Sequence, residues 1–221
     1  MKISKETLSL LENYSKINQN LKLNEGNMLK TVNAERTVYS VAHIDENFEQ
    51  PFAIYDLSEF LNTIGMFNDP ELMFSGDVLT ISDGTDKSMK TRYYSANPAI
   101  LTEVSDMKNI PEADGVFLLS SKNFKRLEKG GNTLKLKDLR FKAEGGKIVV
   151  TAYDASDAIK NTVAVDITDN YTGEDFDVHV RLSKMIILDG EYECSILAGR
   201  MLKLKNTARD LIYMVALDVD E

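Results

Sequence analysis

The sequence predicts an α+β fold of two tandem domains, each with two helices packed on antiparallel sheets. The length of 221 residues allows two domains of about 110 residues. Short apolar segments that alternate at period two predict strands, and four regularly spaced helix-start patterns interrupt them. With 4 Pro, 12 Gly and no low-complexity segment, the chain is expected to be compact throughout.

The predicted strands are short and rich in apolar or β-branched residues. The clearest examples lie at 38–44, 148–150, 163–165 and 211–217. Leu134 and Leu136 alternate with Lys135 and Lys137, which predicts one further strand.

Four patterns predict helix starts. Each has an apolar residue, then a capping residue, then a second apolar residue four positions after the cap; the caps are Ser4, Asp56, Ser120 and Ser183. A cap side chain accepts hydrogen bonds from the first-turn N–H groups, and the two apolar side chains pack together. Their regular spacing predicts a duplicated unit of helix plus several strands.

The midpoint of the chain predicts a linker. Residues 95–115 have weak periodicity and contain two prolines. We therefore predict an N-terminal domain at 1–95, a linker at 96–115 and a C-terminal domain at 116–221. The alternative is one continuous β-sandwich with four incidental helical turns.

Composition excludes several classes of protein. Cys194 is the one cysteine and there are 2 His, which excludes a disulfide framework and argues against a multi-histidine metal centre. Cys194 itself is expected to be buried and inert. No apolar run reaches membrane-helix length, and the first residues lack the apolar core of a signal peptide. The net charge of −9 argues against nucleic acid only until the position of the charges is considered.

Charge is segregated along the chain. Residues 120–147 carry nine Lys or Arg against three Asp or Glu, whereas residues 154–177 carry seven acidic residues and one Lys. Four cations of the third predicted helix stand at i, i+3, i+4 and i+7 and share one face: Lys122, Lys125, Arg126 and Lys129. Adjacent like charges repel one another, so this face is better explained by a polyanion than by solvation alone.

Basic residues elsewhere extend the prediction. Without interleaved aromatics, they indicate contact with the phosphate backbone rather than base readout. The basic residues predicted to contact a phosphate backbone are Lys2, Lys5, Lys16, Lys122, Lys125, Arg126, Lys129, Arg181 and Lys184.

No constellation predicts catalysis. The chain has no Gly-rich phosphate loop, nucleophile elbow or metalloprotease motif. Acidic clusters at 166–169 and 174–177 leave open a metal-dependent enzyme, but their spacing favours solvated turns. We predict no catalytic residue, no metal site and no cofactor.

Extended stretches resemble the DNA sliding clamps of T-even-type tailed phages. The similarity is carried by MKISKET (1–7), LL (10–11), KIN (16–18), AIYDL (53–57), FL (60–61) and YMVAL (213–217). It covers about 1–67 and the carboxyl end, and between them it rests on the order of elements.

The resemblance implies a homotrimeric ring of six similar domains, with helices lining a central hole. Such a ring binds double-stranded DNA without sequence preference and tethers the phage DNA polymerase after an ATP-dependent clamp loader closes it. In this family the loaded clamp also serves late-transcription factors, and the clamp catalyses nothing. The implied location is the cytoplasm of the infected bacterial host, with no membrane partner.

The resemblance also implies contact surfaces. Partner peptides are expected in an apolar pocket near Met107, Ile110, Leu211 and Tyr213, and ring closure through sheet edges near 87–95 and 161–168. Two features depart from the family pattern, since Glu12 lies on the first helix and the second helix carries no basic residue. The alternative is a phage structural or assembly β-protein that oligomerises through sheet edges without binding DNA.

Overall fold

A computed structural model of the chain describes residues 1–86, 88–107, 110–157 and 161–218. The chain forms two compact units, Met1–Ser105 and Asp106–Glu221. Their boundary lies within the predicted linker at 96–115. The last residues of that segment are already in a strand, β8 (Ala113–Leu119).

The described residues contain three α-helices: α1 (Lys5–Ile17), α2 (Leu57–Ile64) and α3 (Ser121–Leu134). The strands of the first unit are β1 (Leu21–Leu23), β2 (Gly26–Val32), β3 (Val38–Phe48), β4 (Phe52–Ile54), β5 (Pro70–Ser75), β6 (Val78–Asp83) and β7 (Lys90–Tyr94). Those of the second unit are β8, β9 (Asp138–Glu144), β10 (Lys147–Tyr153), β11 (Val163–Thr168), β12 (Phe176–Arg181), β13 (Tyr192–Leu197), β14 (Met201–Asn206) and β15 (Leu211–Ala216).

Three of the four predicted caps are confirmed. Ser4, Asp56 and Ser120 each accept a hydrogen bond from the backbone N–H three residues further on, at 3.2, 2.9 and 3.2 Å. The two apolar residues beside the second cap differ in burial, since Tyr55 is 62% exposed while Phe60 is buried. Most of the Tyr55 side chain therefore stays in solvent at the start of α2.

The fourth predicted helix is wrong. The segment forms a single 3-10 turn at Leu182–Lys184, preceded by Arg181 without a side-chain cap. Met185 leaves the helical region, with φ −82° and ψ 52°, and buries its side chain. Burial of Met185 therefore ends the turn, and the described part of the second unit has one α-helix instead of two.

The predicted strand around Leu134 is also wrong, because α3 continues to that residue. Lys135 then adopts a left-handed conformation, with φ 56°, and its N–H bonds back to the last helical turn. Gly130 and Gly131 lie inside the helix. A Cβ on Gly130 would lie 2.7 Å from Val163 Cγ2, so the glycine lets α3 approach β11 closely.

The first unit buries α1 and α2 against antiparallel strands. β1 pairs with β4, β2 pairs with β3, and a three-stranded sheet has the order β5-β6-β7. Leu11 and Tyr14 of α1 are fully buried, and Ser40 Oγ on β3 donates to Tyr14 Oη at 3.0 Å. The exposed face of α1 is consequently left to its charged residues.

The second unit has two antiparallel sheets. One has the order β8-β13-β14-β15 and the other β11-β10-β9-β12. The helix α3 packs on β10 and β11, with Leu127 buried at that contact and Phe141 and Val150 in the core. β7 in the first unit and β11 in the second are edge strands of their sheets.

Candidate nucleic-acid interface

The strongest candidate surface is the solvent face of α3. Lys122, Lys125, Arg126 and Lys129 are all exposed, while Leu127 is buried on the opposite side. We call these four residues the α3 cation face. Within the described residues, Lys122, Arg126 and Lys129 have no ion-pair partner. Three cations of this face are therefore available to an external anion.

The fourth cation has an internal partner that sequence reasoning missed. Lys125 Nζ lies 2.5 Å from Asp189 Oδ2, and Ser121 Oγ donates to the other oxygen of that carboxylate at 2.5 Å. The hydrogen bonds from Lys125 and Ser121 lower the pKa of Asp189. Asp189 is 64 residues away from Lys125 in sequence, and its one sequence signal was the Asp-Gly turn. Both side chains are more than half exposed, so this pair is weak and open to exchange.

The first helix provides a weaker version of the same surface. Lys5 and Lys16 of α1 are exposed, but so are Glu6 and Glu12. Lys2, just before the helix, forms an ion pair with Asp69 at 2.5 Å. The positive charge of this predicted segment is thus largely balanced by its own carboxylates.

The two predicted cations near the 3-10 turn differ in their availability. Arg181 is mostly exposed, with Nε 3.5 Å from Asp138 Oδ1. The Lys184 side chain is only 19% exposed, and its ammonium donates to Asp218 Oδ1 at 2.6 Å and to Ala216 O at 3.3 Å. Lys184 holds the carboxyl-terminal segment against this turn, and we leave it out of the proposed interface.

The four residues predicted to form the partner pocket differ in their exposure to solvent. Met107 and Ile110 are exposed, whereas Leu211 and Tyr213 are buried. Tyr213 Oη accepts a hydrogen bond from Leu188 N at 3.2 Å, which fixes that side chain within the core. Of the four residues, only Met107 and Ile110 offer an apolar surface to a partner in this structure.

Two carboxylates of the acidic segment at 166–177, Asp169 and Asp177, form ion pairs with nearby cations. Arg140 donates two hydrogen bonds to Asp177, one of them 2.7 Å from Nε to Oδ1, and these lower the pKa of that carboxyl. Lys147 Nζ lies 3.4 Å from Asp169 Oδ1. Among the described residues no group of three or more His, Cys, Asp or Glu side chains is placed to hold a metal ion. Cys194 is buried as predicted, and burial raises the pKa of its thiol.

No helix in the described part of the chain is long and apolar enough to cross a membrane.

Comparison with known proteins agrees with this architecture. The chain is 28% identical over 201 residues to the sliding clamp of Vibrio phage KVP40, an alignment that covers 89% of this chain and 90% of that protein. It is 26% identical to the sliding clamp of Enterobacteria phage T4, over all of this chain and 98% of that protein. A solved structure described as the C-terminal region of FEN-1 bound to A. fulgidus PCNA superposes with a TM-score of 0.73 at 10% identity, covering 97% of this chain and 95% of that chain. No family model matches the sequence.

The chain has the two-domain α+β fold of the DNA sliding clamps. Within that class, the predicted resemblance to the clamps of T-even-type tailed phages is confirmed by relatives that extend over most of the chain.

Proposed function

We propose that this protein is a sliding clamp that encircles duplex DNA and tethers a phage DNA polymerase for processive replication. The observation that carries the proposal is the α3 cation face, on which three exposed cations have no internal partner in the described structure. Because the chain shares its fold with sliding clamps, we expect the phosphate backbone of DNA to be the ligand of these cations. The curated relatives support the same function.

The proposed mechanism is electrostatic and topological. Phosphates repeat along DNA with no sequence information, so a face of mobile lysines binds equivalent positions at every step. Lysines act as point charges, and three of the four cations on α3 are lysines. Each contact is weak, which lets the clamp slide while closure around the duplex prevents dissociation.

The proposed clamp is a ring of three identical subunits, closed through sheet edges. β7 and β11 are edge strands and correspond to the edges expected from sequence at 87–95 and 161–168; Lys87 lies outside the described residues. Pairing one edge with the other between copies would satisfy main-chain groups and remove two exposed edges per subunit.

Retention on DNA tests the tether directly. The protein is loaded on nicked circular DNA with a cognate clamp loader and ATP, and bound protein is separated by gel filtration. We expect retention on the circle and loss after the circle is cut, because a ring slides off free ends. Equal retention on both forms, or none on either, contradicts the proposal. The structural-protein alternative predicts an oligomer of unchanged mass that is never retained on DNA.

Partner binding is a second part of the proposal. The FEN-1 segment bound to A. fulgidus PCNA supports a peptide-binding role for this fold, and exposed Met107 and Ile110 offer an apolar contact for polymerase or late-transcription factors. Replacing both with Ala should reduce polymerase processivity on a primed circle while retention on circular DNA stays unchanged. A parallel loss of late-promoter transcription would extend the role to transcription, and unchanged processivity would exclude this surface.

A further inference from the structure

The carboxylate of Asp189 occupies a position with two donors on α3. Its Oδ2 lies 2.5 Å from Lys125 Nζ, and its Oδ1 accepts a hydrogen bond from Ser121 Oγ at 2.5 Å. Ser121 is the first residue of α3 and Lys125 follows it by four, so the two donors are neighbours on the helix surface. Carboxylate and phosphate groups both offer two oxygens to paired donors. A phosphate of DNA can therefore use the same two donors.

Contacts within the second unit place Asp189 beside α3. The residue before it, Leu188, is held through both of its main-chain groups. Its N–H donates to Tyr213 Oη at 3.2 Å, and its carbonyl accepts from Tyr192 Oη at 2.6 Å. Both tyrosines are buried, with ring centroids 6.1 Å apart. The position of the carboxylate is thus fixed by buried groups and does not depend on its ion pair.

The residue after Asp189 is held as closely. A Cβ on Gly190 would lie 2.5 Å from Asn206 Nδ2. Asn206 is buried, and its Oδ1 accepts hydrogen bonds from the N–H groups of Ala208 and Arg209 at 3.0 and 2.9 Å. Because these bonds hold the Asn206 side chain, the close approach requires glycine at position 190. Asp189 therefore has a fixed neighbour on each side.

Stability does not explain a carboxylate at this position. The side chains of Lys125 and Asp189 are 57% and 61% exposed, and ion pairs between exposed groups contribute little to folding. Asp189 instead neutralises one of the four charges of the α3 cation face. An incoming phosphate meets a negative group at a position where the helix alone would offer two donors.

We propose that Ser121 and Lys125 form a phosphate-binding position on α3, and that Asp189 is an internal phosphate mimic that occupies it when DNA is absent. A phosphate must compete with the carboxylate for the two donors. Each subunit therefore holds the duplex less firmly than its four α3 cations allow, which favours sliding. This inference rests on the proposed function and names one phosphate position of that surface together with the residue that limits its use.

The test compares two carboxylates that differ in their contact with cations. Glu128 is also exposed and lies on α3, and it has no ion pair within the part of the chain that the structure describes. The control E128Q therefore removes the same charge as D189N without releasing a cation. Affinity for a labelled duplex is measured by fluorescence anisotropy between low and high salt.

We expect D189N to bind DNA more tightly than the unmodified protein. One additional phosphate contact corresponds to roughly eightfold in affinity at about 0.1 M salt and to almost no change near 1 M. D189A removes both acceptor oxygens and should show the same gain, so a folding defect in one variant leaves the other to decide. A gain from E128Q equal to that of the Asp189 variants would overturn the proposal, as would unchanged binding in both of them.

A variant of Lys125 tests whether the gain passes through this site. In the K125Q background, D189N should strengthen binding far less, because the cation that it releases is absent. An equal gain in both backgrounds would assign the effect to general repulsion of DNA by Asp189 and overturn the competition for Lys125.

The variant K122Q/R126Q/K129Q separates this inference from the proposed function. If it binds the duplex as tightly as the unmodified protein, the α3 cation face does not hold DNA and the proposed function fails at that surface. If it binds weakly while D189N and D189A bind like the unmodified protein, only the role given to Asp189 fails.

Discussion

Removing the three free cations of the α3 cation face should change the salt dependence of DNA binding more than any other property. In the variant K122Q/R126Q/K129Q each substituted residue is exposed and none has an ion pair in the described structure. Surface substitutions of this kind change stability by about 0.5 kcal/mol or less. The fold and oligomer should therefore be retained.

The magnitude follows from counterion release. Each lost phosphate contact reduces the slope of log K against log salt concentration by about 0.9. If all three residues of one subunit contact phosphates, the slope changes by about 2.7, which corresponds to about 40-fold in affinity between roughly 50 and 200 mM salt. Lys125 remains in the variant and its pairing with Asp189 makes it a smaller contributor.

The assay is fluorescence anisotropy of a labelled duplex across a salt series. The matched control R200Q/K203Q/K205Q also removes one Arg and two Lys, from β14 and the turn before it, and leaves α3 untouched. We expect a flatter slope only for the α3 variant. Equal slopes for the two triple variants would refute the reasoning, since net charge alone would then explain the binding.

Three smaller predictions concern single residues. D189N releases Lys125 and should steepen the same salt slope by about 0.9, with a stability change of at most about 1 kcal/mol; a slope that becomes flatter would contradict the pairing. For Glu46, burial raises the pKa, but hydrogen bonds from the start of α1 outweigh it, so the folded pKa lies below its ordinary value of 4.5. E46Q should therefore lower the free energy of unfolding by about 1–2 kcal/mol at neutral pH. This difference in the free energy of unfolding should shrink as the pH falls below 4.5. A difference in urea denaturation that stays constant with pH would contradict the lowered pKa of Glu46. G130A should destabilise by about 1 kcal/mol, because overpacking against a branched valine exceeds the gain in helix propensity. In G131A the added methyl group meets the end of a flexible leucine, so this variant should be destabilised less than G130A in thermal unfolding. A larger loss of stability in G131A than in G130A would contradict the close contact of α3 with β11.

Local signals allowed most of the fold to be predicted. The caps Ser4, Asp56 and Ser120 act on N–H groups three residues away, so their effect can be read from neighbouring sequence. The sequence around Ser183 matches the same helix-start pattern, but the burial of Met185 ends the segment after one turn. Tertiary packing overrides the local preference there.

The candidate site was only partly accessible from sequence. Periodicity placed the α3 cation face correctly on one exposed surface, because a helix repeats every 3.6 residues. The position of Asp189 beside Lys125 depends on how a distant loop packs on α3, which no spacing rule provides. The partial burial of Lys184 and the full burial of Tyr213 depend likewise on contacts between elements far apart in the chain.

The glycine contact between α3 and β11 has a mechanical consequence. Gly130 brings the helix backbone against Val163 with no intervening side chain. The contact between the helix and the strand therefore has no flexible side chain of Gly130 that could absorb a movement. We therefore expect a displacement of the β11 edge to move α3 with it. In the proposed ring, separating two subunits at this edge would tilt the cation-bearing helix at the same time, so that opening the ring and loosening its hold on DNA become one movement.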